Sequence, residues 1–262
     1  EEKKEEEEAT ISQQRYETNA SRSLIISMPK NGTTCYTSYV KAKKLANTNC
    51  EKAIDMLESI MNLPSPRIDC LSIPLDTLVT RQEIQRFSYR EGDAITESNF
   101  VDAYAFKLAL LLASLYAKMK RFRESAVLYD ALVIRYCSSI AMNNLGSYYR
   151  DGRGVSRVSY RAACRLFRAG ARLGNAAALG NLGYMYSKGL GIAMDPHRAL
   201  QLYEAASSLG NAQASVNCAE FYASGRTLSS PSRDKALHFY QLAQSQGYSG
   251  APLDARISHV HH

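Results

Sequence analysis

Three consecutive stretches of the 262-residue chain carry one pattern at an interval of 36 or 37 residues: Ala141–Asn175, Ala176–Asn211 and Ala212–Tyr248. Leu145-Gly146 aligns with Leu182-Gly183 and, more weakly, with Cys218-Ala219. Tyr149, Tyr186 and Tyr222 align, as do Gly152, Gly189 and Gly225. Later in each stretch Phe167, Tyr203 and Tyr240 share a position, and Ala169, Ala205 and Ala243 approximately share another. A period of this length marks supersecondary units that stack on their neighbours and share no single core. That also suits the length, since a single core stops growing at roughly 250–300 residues. The composition agrees: 17 Tyr and no Trp, with Tyr recurring at fixed places in the period.

Each unit reads as two helices. Leu179, Leu182, Met185 and Tyr186 recur at three- and four-residue spacing, the period of one helix face. Gly189 and Gly191 then stop the helix, and Asp195-Pro196 starts the next with a cap residue and a Pro at the first helical position. Ala199, Leu202, Tyr203 and Ala206 form the second buried stripe, with Gly183, Ala199, Ala205 and Ala206 small enough for close helix approach. The N-terminal half is helical but less regular. Tyr36–Ala46 and Cys50–Asn62 read as one hairpin, with Thr48 and Glu51 at capping-box spacing. Asn99–Met119 and Arg123–Arg135 read as another. Between them, residues 66–74 read as irregular and 80–87 as a short helix.

The run L-G-x-x-Y-x-x-G-x-G-[VI], followed by A-x-x-x-Y-x-x-A and L-G-N, resembles the Sel-one-like repeat, a longer relative of the tetratricopeptide repeat. Leu145, Gly146, Tyr149, Gly152, Gly154 and Val155 carry it in the first unit, and Leu182, Gly183, Tyr186, Gly189, Gly191 and Ile192 in the second. The third departs, with Cys218-Ala219 for Leu-Gly and Thr227-Leu228 for Gly-Val. The resemblance implies an all-α fold, a right-handed α-solenoid of antiparallel helix pairs. The organisation expected is an acidic, irregular segment over 1–33, then degenerate tetratricopeptide-like hairpins over 34–136 with an insert near 64–95. Three repeats follow over 137–248, and a cap or tail over 249–262.

No catalytic, cofactor or metal site is suggested. Gly152-x-Gly154 and Gly189-x-Gly191 are helix-to-helix turns in register and not a strand-to-helix phosphate cradle. His197 and His238 stand singly, and His259, His261 and His262 read as a tail. The six scattered cysteines favour free thiols in a reducing compartment, the cytoplasm or the mitochondrial matrix. Phe106–Ala117, the most apolar stretch, is too short for a membrane span. The chain opens on Glu where Met would start a protein, so a removed targeting peptide or a trimmed start is implied.

Two surfaces are candidates for binding. Asn144, Asn181 and Asn217 occupy one position in the three units, with Tyr148, Tyr184 and Phe221 nearby. The resemblance implies that such Asn side chains hold the backbone of a bound segment. They serve equally as framework residues bonded to neighbouring helices. The second surface is a stripe of Arg161, Arg165, Arg168 and Arg172, spaced four, three and four along one helix. Glu1–Glu8 holds six Glu and two Lys, so a net charge of +7 hides a more basic remainder. The expected function is a non-catalytic protein-interaction scaffold or adaptor within a larger assembly. The alternative is a structural RNA-associated subunit of a ribosome-like particle that meets phosphates through the Arg stripe.

Overall fold

The computed structural model describes residues 32–61, 94, 100–225 and 231–248, and among these the chain forms ten α-helices and no strand. They fall into two compact units, one ending near Ala141 and including residues 153–156, the other containing residues 142–152 and everything described from Arg157 onward.

The first unit holds α1 (Gly32–Thr48), α2 (Cys50–Met61), α3 (Phe100–Lys118) and α4 (Phe122–Tyr136). Ala53, Ile54, Leu57 and Met61 bury one stripe of α2, and Leu108, Leu112, Ala113 and Tyr116 one of α3. The Tyr116 hydroxyl donates to Glu58 at 2.5 Å, and Arg121 lies over the Tyr116 ring while pairing with Glu124 at 2.8 Å. Ser125 Oγ, fully buried, donates to the Ala113 carbonyl at 2.7 Å and so pins α4 on α3.

Two expectations for this half need correction. Helix α1 begins at Gly32, so residues 32 and 33 are helical; the first turn has no intrahelical N–H partner to lose, which lets Gly and Thr occupy it. The cap of α2 is Asn49 and not Thr48. Asn49 Oδ1 accepts the Lys52 N–H at 3.0 Å, whereas Thr48 Oγ1 donates backwards to the Leu45 carbonyl. The short helix expected over 80–87, the irregular run 66–74, the acidic start and the C-terminal cap all lie outside the described residues.

The second unit takes most of α5 (Ser139–Asp151), with α6 (Tyr160–Arg172), α7 (Ala176–Lys188), α8 (Pro196–Ser208), α9 (Ala212–Ser224) and α10 (Arg233–Ser245). These are three antiparallel helix pairs built by the same bonds. The N–H of the residue that caps each second helix donates to the carbonyl of the repeated tyrosine: Ser159 to Tyr149, Asp195 to Tyr186 and Ser232 to Tyr222, at 2.8 to 3.0 Å. Asp195 Oδ1 also accepts the Arg198 N–H, with Pro196 following, as the sequence leads one to expect. Each second helix ends in a Schellman turn. Asn211 N–H reaches back to the Ala206 carbonyl and Gly210 N–H to Ser207, and the same pair of bonds recurs at Asn175/Gly174 and Tyr248/Gly247. Gly210 has φ of 84°, a left-handed conformation that a side chain would strain.

Within each pair, the small residue of the Leu-Gly site faces the aromatic of the second helix. A Cβ added at Gly146 would sit 2.8 Å from Phe167, and one at Gly183 would sit 2.9 Å from Tyr203. The third unit keeps the site with Ala219, which packs in a cluster with Val216, Tyr240 and Ala243. The second small position is Gly170, Ala206 and Ala243, three residues after each aromatic. The approximate alignment through Ala169 and Ala205 is therefore one residue out: Ala205 is exposed, because one residue further along a helix turns about 100° away. Gly191 joins successive units. Its backbone lies so close to Tyr160 and Arg161, at the start of α6, that an added Cβ would meet the Arg161 nitrogen at 2.6 Å.

Candidate protein-binding cleft

The first helices of the second unit, α5, α7 and α9, present their polar edges around an open cleft of about 610 Å³. Asn181 and Tyr184, three apart on α7, line it together with Gln213 and Asn217, four apart on α9, and with Arg150, Asp151 and Tyr160. A smaller cleft of about 340 Å³ adjoins it, lined by Tyr184, Lys188, Tyr203, Asn217, Glu220 and Phe221 among others. Tyr184 and Asn217 border both.

The amides of this lining are used unequally. Asn181 is fastened on both sides: its Oδ1 accepts Arg150 Nη1 at 3.0 Å, and its Nδ2 donates to Asn143 Oδ1 at 2.8 Å. Arg150 is in turn held by Asp151, at 2.7 Å from Nε and 3.3 Å from Nη2. Asn211 caps α9 through Oδ1, at 3.0 Å from the Ala214 N–H, and donates from Nδ2 to the Ala176 carbonyl of the unit before. Asn217 differs. It accepts Gln213 Nε2 at 3.2 Å, and no second hydrogen bond engages its own Nδ2 or the Gln213 Oε1 among the described residues. One donor and one acceptor are thus left side by side on the cleft wall.

The repeated tyrosine-carbonyl bond, the Schellman ends and the small-on-aromatic contacts coincide, unit for unit, with matches to the Sel1 repeat model at residues 139–175, 176–211 and 212–248. Residues 139–248 are three Sel1 repeats. Protein sel-1 homolog 2 of Homo sapiens is 30% identical over 129 residues, 45% of this chain and 19% of that protein, and its Rattus norvegicus counterpart is equally similar. The chain thus spans about a fifth of the length of these relatives. Among solved structures, a Sel1 repeat protein from Oxalobacter formigenes superposes with a TM-score of 0.59 at 18% identity, over 91% of this chain and 85% of that one. The antigen c5321 of uropathogenic Escherichia coli, which displays the same repeat fold, gives 0.53 at 18% identity, over 87% and 56%. At that identity the likeness is one of fold.

The Sel1 repeats place the residues singled out from sequence as follows. Asn181 and Asn217 line the larger cleft, Tyr184 stands 39% exposed between the two, and Phe221 borders the smaller one with its ring edge-on to Tyr203. Asn144 accepts from Asn143 at 3.3 Å and lies outside both linings; so does Tyr148, which is buried. Asn181 reaches Asn143 in the first repeat, one residue before the aligned Asn144. Gln213 and Arg150 escaped the sequence reading. The Asn211 cap was signalled by the recurring Leu-Gly-Asn.

On α6, Arg161, Arg168 and Arg172 are exposed and Arg165 is half-buried, while Ala162, Ala163, Leu166, Phe167 and Gly170 fill the opposite face. Cys50, Cys164 and Cys218 are free thiols. Burial pushes the Cys164 thiol up, and burial together with the Glu204 carboxylate does so for Cys218, which keeps both in the weakly nucleophilic thiol form. Among the described residues, no group of His, Cys, Asp or Glu is gathered for a metal ion, and no helix is long and apolar enough to cross a membrane.

Proposed function

We propose that the chain is a protein-interaction scaffold whose Sel1 repeats hold an extended polypeptide segment in the cleft between α7 and α9. The observation that carries this is the Gln213–Asn217 pair. It offers an N–H donor and a C=O acceptor together, the complement of a peptide group, in an open cleft flanked by the Tyr184 ring. The charged groups that line the two clefts balance, Arg150 paired with Asp151 in the larger and Lys188 with Glu220 both lining the smaller, so main-chain recognition fits better than capture of a charged side chain. Asn181, with both ends of its amide engaged, is a joint between repeats. The scaffold would serve as a subunit of a larger assembly. The RNA-associated alternative rests on the Arg stripe of α6.

Peptides selected from a random display library on the full chain provide the test. Asn217→Ala and Gln213→Ala should each weaken a selected peptide about tenfold, the worth of one hydrogen bond in a desolvated contact. Their unfolding midpoints should stay unchanged. N-methylation of one peptide bond in the ligand should mimic the loss. If every selected peptide binds both variants as it binds the parent chain, the cleft is not the binding site.

A further inference from the structure

We infer that the Arg face of α6 is a second docking surface, separate from the cleft, and that its occupant is an acidic helix of a partner protein. The 43 residues between Asp151 and Asp195 contain six Arg, one Lys and no Asp or Glu. Within α6, Arg161, Arg168 and Arg172 are exposed, and the described residues form no ion pair with any of the three. The repeat does not require these arginines. The same positions hold His197, Gln201, Glu204 and Ser208 in the next unit, and Asp234, His238, Gln241 and Ser245 in the third, on helices with the same buried face. Only the first Sel1 repeat carries the charge, so folding does not explain it.

The spacing names the occupant. Positions separated by four, three and four residues form the seam along which a second helix lies against the first. The four positions span about 16 Å of helix at 1.5 Å per residue. A partner helix with carboxylates at the same spacing meets the exposed guanidinium groups of Arg161, Arg168 and Arg172, where forked Arg–carboxylate contacts are favoured. Leu173, 42% exposed just past the end of α6, supplies an apolar contact beside such a seam. Nucleic acid fits less well. Phe167, the aromatic between Arg161 and Arg172, is fully buried and offers bases nothing to stack on, and one straight line of charge is narrow for a duplex.

The test is fluorescence anisotropy of the full chain with two synthetic helical peptides of identical composition. One carries Glu at four-three-four spacing; in the other the same Glu residues are spread round the helix. The patterned peptide should bind at least about tenfold more tightly, and more weakly as salt rises. Arg161→Glu with Arg168→Glu should abolish that binding, and a peptide with Lys in place of Glu should restore it. An Arg161→Gln, Arg168→Gln, Arg172→Gln variant, without reversed charge, should also lose it while its circular dichroism is unchanged. Equal binding of the two peptides overturns the inference, as does no binding at low salt. So does bulk RNA that displaces the patterned peptide at equal charge concentration, which would make the stripe a nucleic-acid surface. Neither peptide depends on Asn217 or Gln213, so Asn217→Ala should leave this binding intact.

Discussion

At the scale of single residues, two buried positions make opposite demands. Gly183 leaves no room for a methyl group, because Tyr203 is fully buried and the Ala199 carbonyl stands 3.2 Å from where a Cβ would be. Gly183→Ala gains about 1 kcal/mol of helix propensity. It should nonetheless lower stability, by about 1–3 kcal/mol net in denaturant unfolding, because overpacking outweighs the gain. The third repeat shows that the aromatic can be set back far enough for a methyl: Ala219 faces Tyr240 in the same place. Asp130 is the reverse case. It is buried, its Oδ1 has no hydrogen-bond partner, and burial raises its carboxyl to about 8. A carboxyl raised above its unfolded value of about 3.9 leaves stability intact below that value and erodes it as pH climbs towards the folded one. Stability should therefore fall between about pH 4 and pH 8. Asp130→Asn should flatten that slope and stabilise the chain by on the order of 2 kcal/mol at the alkaline end, measured by urea unfolding at both ends of the window. A slope unchanged by the substitution would place the titrating group elsewhere.

At the scale of elements, most of the fold could be read in advance because each helix in the repeats is stopped and started by side chains with one physical use. Asp195-Pro196 and the left-handed Gly189 are where the period puts them. Three of the discrepancies share a cause: two similar residues stand next to each other, and the pattern cannot tell which of them faces in. Thr48 and Asn49 can both cap, Ala205 and Ala206 are both small, and Asn143 and Asn144 are both amides; a helical neighbour points about 100° away, so the partner decides. The candidate cleft was half legible for the same reason. Alignment locates Asn181 and Asn217, but only distances show that one is fully engaged and the other open. Asn211 joins two elements at once, as cap of α9 and as donor to the Ala176 carbonyl. Asn211→Ala loses both and should cost about 2 kcal/mol, while Asn211→Asp keeps the cap acceptor and should cost about half as much. An Asn211→Asp chain as stable as the parent in thermal unfolding would mean that the bridge to Ala176 contributes nothing, and equal losses in the two variants would mean the same of the cap.

At the scale of the whole molecule, a net charge of +7 is less informative than its distribution. Repeat arrays draw their stability from many neighbour contacts, so a poor local choice in one unit is tolerated if it serves binding. The first turn of α6 is such a choice. It carries Arg161 and no acidic residue, at the end where the helix dipole already concentrates positive charge, and Arg165 follows one turn later. Arg161→Glu corrects both faults. If the stripe exists for a partner, the substitution should raise the unfolding free energy by about 0.5–1 kcal/mol at low salt. The gain should shrink as salt screens it, and binding of the patterned acidic peptide should be lost at the same time. The opposite result, a destabilised chain, would mean that Arg161 supports α6 itself. Stability rising while binding falls is the signature of a residue kept for its partner, and equilibrium unfolding and anisotropy on the same protein sample measure both.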